Sequence, residues 1–150
     1  MDTGFYIKDL SHQKLKNRIK KHEGFSVTPY KDQLGYLTIG FGHLILDSEK
    51  YLIKKKIKKE ELEKIFTKDF NKALNNFNKF LKPFTLSKKD SEILIEMVFQ
   101  IGVVGVLNFK KLLYYMSNGN QNMVCFEMMN SLWYKQTPKR VKSLIKIILK

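Results

Sequence analysis

Apolar positions recur along this chain with more than one period, and the changes of period divide it. Leu15 and Ile19 share one face of an otherwise basic stretch, which predicts a helix from a Ser11 cap to about His22, closed by Gly24 at its C′ position. From 25 to 46 the helical period stops. That stretch is rich in Gly, Thr, Tyr, Phe and Ile, with Pro29 and Gly35 as turn points, and reads as a small antiparallel sheet of two or three short strands. Residues 49–57 are weakly helical. The helical period then returns in Leu62, Ile65, Phe66, Ala73, Leu74, Phe77 and Leu81, predicting one helix from Glu60 to about Lys82 that Pro83 stops. Its other face, Lys64, Lys68, Lys72, Asn75 and Lys79, is polar and reads as solvated.

Downstream the pattern is helical throughout. A helix starting at Ser87 or Asp90 carries Ile93, Leu94, Met97, Val98 and Ile101 and ends at Gly102. It is apolar nearly all round, which predicts the buried central helix of a bundle. Shorter helices follow near 108–117, ending at Asn118-Gly119, and over about 121–132. Thr137-Pro138 then supplies an N-cap and a proline at the first helical position for the last one. The expected fold class is therefore α+β in one domain over 1–150. A small β-sheet lobe (about 23–58) is joined by a long helix (about 60–82) to a helical lobe (about 83–150), to which the N-terminal helix adds.

Composition narrows the function. Apolar residues make up 43% of the 150, enough for a sizeable core. The formal net charge is +14, and among 28 basic residues only Arg18 and Arg140 are arginine. Such a balance favours a polyanionic partner: nucleic acid, an anionic membrane or a bacterial envelope. An AT-rich genome accounts for Lys over Arg but not for the excess of basic over acidic residues. No apolar run reaches the ~18 residues that span a membrane. The first ten residues lack the basic and apolar regions of a secretory signal, so the chain is expected to stay in the cytoplasm where it is made.

Several chemistries are excluded. Gly40-Phe41-Gly42 lacks the third glycine of a dinucleotide fingerprint, which would fall on Ile45. His22-Glu23 does not complete a zinc-binding H-E-x-x-H, because position 26 is Ser. Three scattered His and one Cys make no metal site, and Cys125, among Phe126, Met128 and Met129, reads as a core thiol. What remains is Glu23, Asp32 and Thr38. Glycoside hydrolysis needs one carboxyl that donates a proton and another that stays ionised. Glu23 falls at a predicted helix C-terminus, where the dipole disfavours negative charge, and Asp32 falls in a polar loop. By themselves two acids so spaced are common, and a pair of plain surface carboxylates is the more frequent outcome.

Three segments change that balance. Glu23-Gly24, Tyr30-Lys31-Asp32 and 35–43 (GYLTIGFGH) form the first, with Asp nine residues after Glu and Thr six after Asp. Met97-Val98-Phe99-Gln100-Ile101-Gly102 is the second, and 133–140 (WYKQTPKR) the third. Together, over roughly 15–148, they resemble the T-even phage lysozymes, glycoside hydrolase family 24. The resemblance implies a lysozyme-like fold and an endolysin. Such an enzyme cleaves the β-1,4 bond between N-acetylmuramic acid and N-acetylglucosamine in peptidoglycan, with inversion. Glu23 then matches the general acid, Asp32 the residue that holds the attacking water, and Thr38 its partner. Arg140 matches the arginine that pairs with the catalytic Glu, His43 and Asp69 a His–Asp pair across the small lobe, and Leu44, Phe99 and Gln100 substrate-cleft positions. Trp133 lies in a matched segment. No cofactor or metal is implied. The expected partner is bacterial peptidoglycan, with no nucleic acid, no membrane insertion, and a monomer held in the host cytoplasm until release to the wall. The chain departs from the family in having His22 where an acid often precedes the catalytic Glu, and in being shorter between His43 and Asp69. Leu112, Glu127 and Leu132 replace polar cleft residues. A basic nucleic-acid-binding protein, a tail-associated lysozyme used in infection and a membrane-active helix over 141–150 remain as rivals.

Overall fold

The computed structural model describes residues 12–82 and 84–150. The elements follow the hydrophobic pattern closely: α1 (Gln13–Glu23), β1 (Ser26–Lys31), β2 (Leu37–Gly40), β3 (His43–Leu44), a 3-10 turn (Asp47–Glu49), α2 (Tyr51–Lys54), α3 (Lys59–Phe80), α4 (Lys88–Leu107), α5 (Lys110–Ser117), α6 (Gln121–Met129), α7 (Leu132–Gln136) and α8 (Pro138–Ile148). The strands form an antiparallel sheet in the order β1-β2-β3.

Two apolar clusters fill the described residues. The small one, Ile39, Leu52, Ile57 and Leu62, lies under the sheet. The large one gathers Leu15 and Ile19 of α1, Phe66, Phe70, Ala73 and Phe77 of α3, and residues of every later helix. The long α3 serves both, since Leu62 belongs to the first cluster and Phe66, one turn later, to the second. Its lysine face, 64, 68, 72 and 79, is exposed as its pattern predicts. Leu94 on α4 is fully buried, and that helix runs through the large cluster.

The structure corrects several expectations. Pro29 lies inside β1 and not at a turn. The strand is an edge, and its pairing with β2 is irregular between Ser26 and Tyr30, so the missing N–H breaks no regular ladder. Gly102 does not end α4; it interrupts it. With φ 82° and ψ 159° it takes a conformation open to glycine almost alone, and helix resumes to Leu107. The helix read over 121–132 splits into α6 and α7 at Ser131, whose hydroxyl accepts from the Tyr134 N–H and caps the second piece. Thr137 precedes Pro138 as expected, but its side chain caps nothing. The Ser11 cap and the Pro83 stop lie outside the described residues. Cys125 is buried and burial pushes its thiol up, as befits a core thiol. The apolar face of α8, with Val141, Leu144 and Ile148, is buried in the large cluster. Among the described residues no single helix is long and apolar enough to cross a membrane.

Candidate active site

Between the sheet and the helical lobe runs an open cleft of about 890 Å³. Glu23, Asp32, Thr38, Gln100 and Arg140 all line it. Each arrives there for a local reason.

Glu23 is the last residue of α1. Gly24, with φ 75°, turns the chain out of the helix while its N–H closes the last turn on the Lys20 carbonyl. Gly42, also at positive φ, lies so close that a Cβ there would overlap the Glu23 carboxyl. The side chain is 15% exposed and takes a 2.6 Å ion pair from Arg140 Nη1 to its Oε2. The sequence reading left the net effect on its acidity open, with helix dipole and arginine opposed. Here burial raises the Glu23 carboxyl above the usual range, and this outweighs the charge and hydrogen bond of Arg140.

Asp32 sits in the β1–β2 turn and shapes it. Its Oδ1 accepts from the N–H groups of Leu34 and Tyr36, both at 2.9 Å, while among the described residues Oδ2 has no hydrogen-bond partner. Thr38 is nearly buried on β2 and its hydroxyl donates to the Tyr36 carbonyl at 3.0 Å. With its proton committed there, the Thr38 oxygen offers lone pairs only.

Arg140 stands in the first turn of α8, and a chain of polar contacts fixes where that turn begins. Trp133 Nε1 donates to Gln100 Oε1 at 2.8 Å, the Gln100 amide donates to Thr137 Oγ1 at 3.4 Å, and Thr137 Oγ1 donates to the Trp133 carbonyl at 3.1 Å. The Thr137 hydroxyl thus bonds Trp133 and Gln100 and makes no cap to α8. It also gives Gln100, expected at the substrate, an amide occupied by protein, although its side of α4 still borders the cleft. Trp133 is buried against Phe109.

Leu44, which is exposed, and Phe99, which packs on Phe66, line an adjoining hollow of about 410 Å³ with Gly42, Asp69 and Asn76. His43 lies at its edge and bonds Asp69 on α3 at 2.7 Å and Glu49 at 2.9 Å. The cleft positions left in doubt by substitution diverge: Leu112 is buried, Leu132 is exposed.

The sequence reading missed Glu96. It lies in the apolar central helix with 0% of its surface exposed, where it accepts from Arg18 Nε at 2.7 Å and Arg140 Nε at 2.9 Å. His22 Nδ1 is 2.6 Å from it. The available signal was the mismatch itself, one carboxylate within the otherwise apolar run 93–99, in a chain with two arginines.

The sequence comparisons agree with this architecture. A family model described as phage lysozyme matches residues 20–146. The chain is 34% identical over 160 residues to "Probable T4-type lysozyme 1" of Dictyostelium discoideum, covering 89% of this chain and 92% of that protein. It is 33% identical over 156 residues to "Probable T4-type lysozyme 2" of the same organism, with the same coverage. It is also 28% identical over 163 residues to the pre-baseplate central spike protein Gp5 of Enterobacteria phage T4. That match takes in 94% of this chain but 28% of the spike protein.

Proposed function

Since the chain belongs to the phage lysozyme family, and so is a lysozyme acting on peptidoglycan, we propose that it is an endolysin. It cleaves the β-1,4 bond between N-acetylmuramic acid and N-acetylglucosamine with inversion, from a host cytoplasm that it leaves only at lysis. The observation that carries the chemical part is the largely buried Glu23 in its ion pair with Arg140, in one cleft with Asp32 and Thr38.

In this reading Glu23 enters the reaction protonated. Burial favours that state, and an acid catalyst needs a raised carboxyl. It gives its proton to the glycosidic oxygen as the C–O bond breaks. The resulting carboxylate is then stabilised by the Arg140 guanidinium already against it. A water that donates one hydrogen to Asp32 Oδ2 and the other to Thr38 Oγ1 keeps a lone pair for the anomeric carbon. Asp32 takes the water's proton as the new C–O bond forms on the opposite face. Solvent then returns a proton to Glu23 and removes one from Asp32. Leu44 and Phe99, in the adjoining hollow, offer apolar surface to a sugar ring.

The test is Glu23→Gln, which keeps the shape of the side chain but cannot act as an acid. Loss of a positioned proton donor lowers turnover of purified peptidoglycan by roughly 10²–10⁴, about 3–5 kcal/mol of barrier, in a variant that still folds. Wall clearing at the wild-type rate would remove Glu23 from the reaction. The similarity to the phage spike protein favours a second reading, a lysozyme used at entry. Assaying purified phage particles for the chain separates the two, because a lysozyme used at entry is carried in the particle and an endolysin acts from the infected cell.

A further inference from the structure

The two arginines of this chain meet at one buried carboxylate. Arg18 reaches Glu96 Oε1 from α1 at 2.7 Å and Arg140 reaches Oε2 from α8 at 2.9 Å, while Arg140 Nη1 holds Glu23 at 2.6 Å. Elsewhere in the sequence every basic residue is lysine or histidine. A guanidinium is needed here because it bridges two carboxylates through separate nitrogens in a fixed plane and keeps its charge when buried; an ammonium does neither. We propose that Glu96 is a positioning residue for catalysis. It anchors Arg140 by Nε so that Nη1 faces Glu23, and it absorbs the positive charge that would otherwise force Glu23 to remain ionised. The inference rests on the reading of Glu23 as the acid.

Charge bookkeeping makes the need plain. When Glu23 carries its proton, the two guanidiniums face a single remaining anion, Glu96. Burial opposes that anion, but the His22 hydrogen bond and the charges of Arg140 and Arg18 hold its carboxyl down to about 2, so its charge is constant wherever the enzyme works. The charged and titratable groups around the pair are Arg18 and His22 from α1, Arg140 from α8, and Tyr30 and Asp32 from the sheet side. Ser143 Oγ, 3.3 Å from His22 Nε2, completes the shell. His22 thus stands on Glu96 at the position where the family pattern often has its own acid.

The experiment measures kcat and KM on soluble peptidoglycan oligomers across pH for wild type, Glu96→Gln and Arg18→Gln, with circular dichroism to confirm folding. In Glu96→Gln the alkaline limb of kcat/KM, where Glu23 loses its proton, moves to lower pH by about 1 unit. Turnover on the alkaline side falls ~10-fold with KM little changed. In Arg18→Gln Glu96 is shared with one arginine fewer, and the same limb moves up. A folded Glu96→Gln whose limb stays in place overturns the proposal, because a purely structural contact lowers activity at every pH alike. If Glu96→Gln does not fold, Arg18→Gln decides: a limb that rises supports the role and one that stays overturns it. Full activity in Glu23→Gln would instead overturn the acid assignment beneath it.

Discussion

At the scale of single residues, Gly42 makes the tightest demand in the cleft. Its φ is 75°, and any side chain there meets the Glu23 carboxyl. Gly42→Ala therefore carries a left-handed backbone cost of about 1–2 kcal/mol and also displaces the acid. A shift near 1 Å in a reacting group costs on the order of 10²-fold in rate. We expect kcat/KM to fall by about that factor while denaturant unfolding shows only the backbone cost. Unchanged kinetics would mean the carboxyl has room that its surroundings deny it. Glu23, Asp32 and Thr38 stood out in the sequence only through the resemblance of their short segment to the phage lysozymes, and the structure brings all three to one cleft. Glu96 did not stand out, because its partners lie 78 and 44 residues away and no local pattern points to them.

At the scale of elements, two features hold neighbouring elements together. One is His43, between Asp69 on α3 and Glu49 beside the sheet. With acceptors on both ring nitrogens, the imidazole satisfies them only as a cation. Burial opposes that charge, but the hydrogen bonds to Asp69 and Glu49 raise the His43 pKa above 6.5. Its contribution is therefore complete below pH 6.5 and is lost as pH rises through the higher folded value. Burial likewise opposes the Glu49 charge, yet the Leu46 N–H and His43 lower its pKa below 4.5, so its share is complete above that pH and is lost on acidification. His43→Gln should cost about 1–3 kcal/mol between those limits, with the gap to wild type closing at alkaline pH. A gap that is flat with pH would show that only packing is lost. The other is the apolar run of α4. Leu94→Ala should cost roughly 2–5 kcal/mol, the range that leucine truncations in a lysozyme of this family themselves define. A loss below about 1 kcal/mol would take Leu94 out of the centre of the core.

At the scale of the whole molecule, the +14 charge is spread widely. On the small lobe alone, Lys50, Lys54, Lys55, Lys56, Lys58 and Lys59 are all exposed. Attraction to an anionic wall acts at long range and is screened, since the Debye length falls from about 10 Å at 0.1 M salt to about 3 Å at 1 M. Clearing of whole walls should therefore drop steeply as salt rises, while turnover of a short soluble oligomer in the cleft changes little. Two curves falling together would place the salt effect in the enzyme itself. Two flat curves would remove wall attraction as the role of the +14 charge.

The sheet-forming segment, the long helix α3 and the apolar central helix were written in the sequence. Hydrophobic period, glycine and proline are local quantities, and each acts on the residues next to it. The segment from Glu23 to His43 was legible for the same reason, since helix end, turn and strand follow one another without interruption. What only the tertiary structure decided are the features made by distant partners. Helix resumes beyond Gly102 and buries Val106 in the large cluster, where the sequence read an end. The hydroxyl of Thr137 donates to the Trp133 carbonyl, accepts from the Gln100 amide and makes no cap to α8. The rise in the Glu23 carboxyl is set by burial, which no sequence position carries on its own. Glu96 can be ionised in an apolar core because α1 brings Arg18 and His22 to it and α8 brings Arg140, and a buried charge persists only where such partners converge.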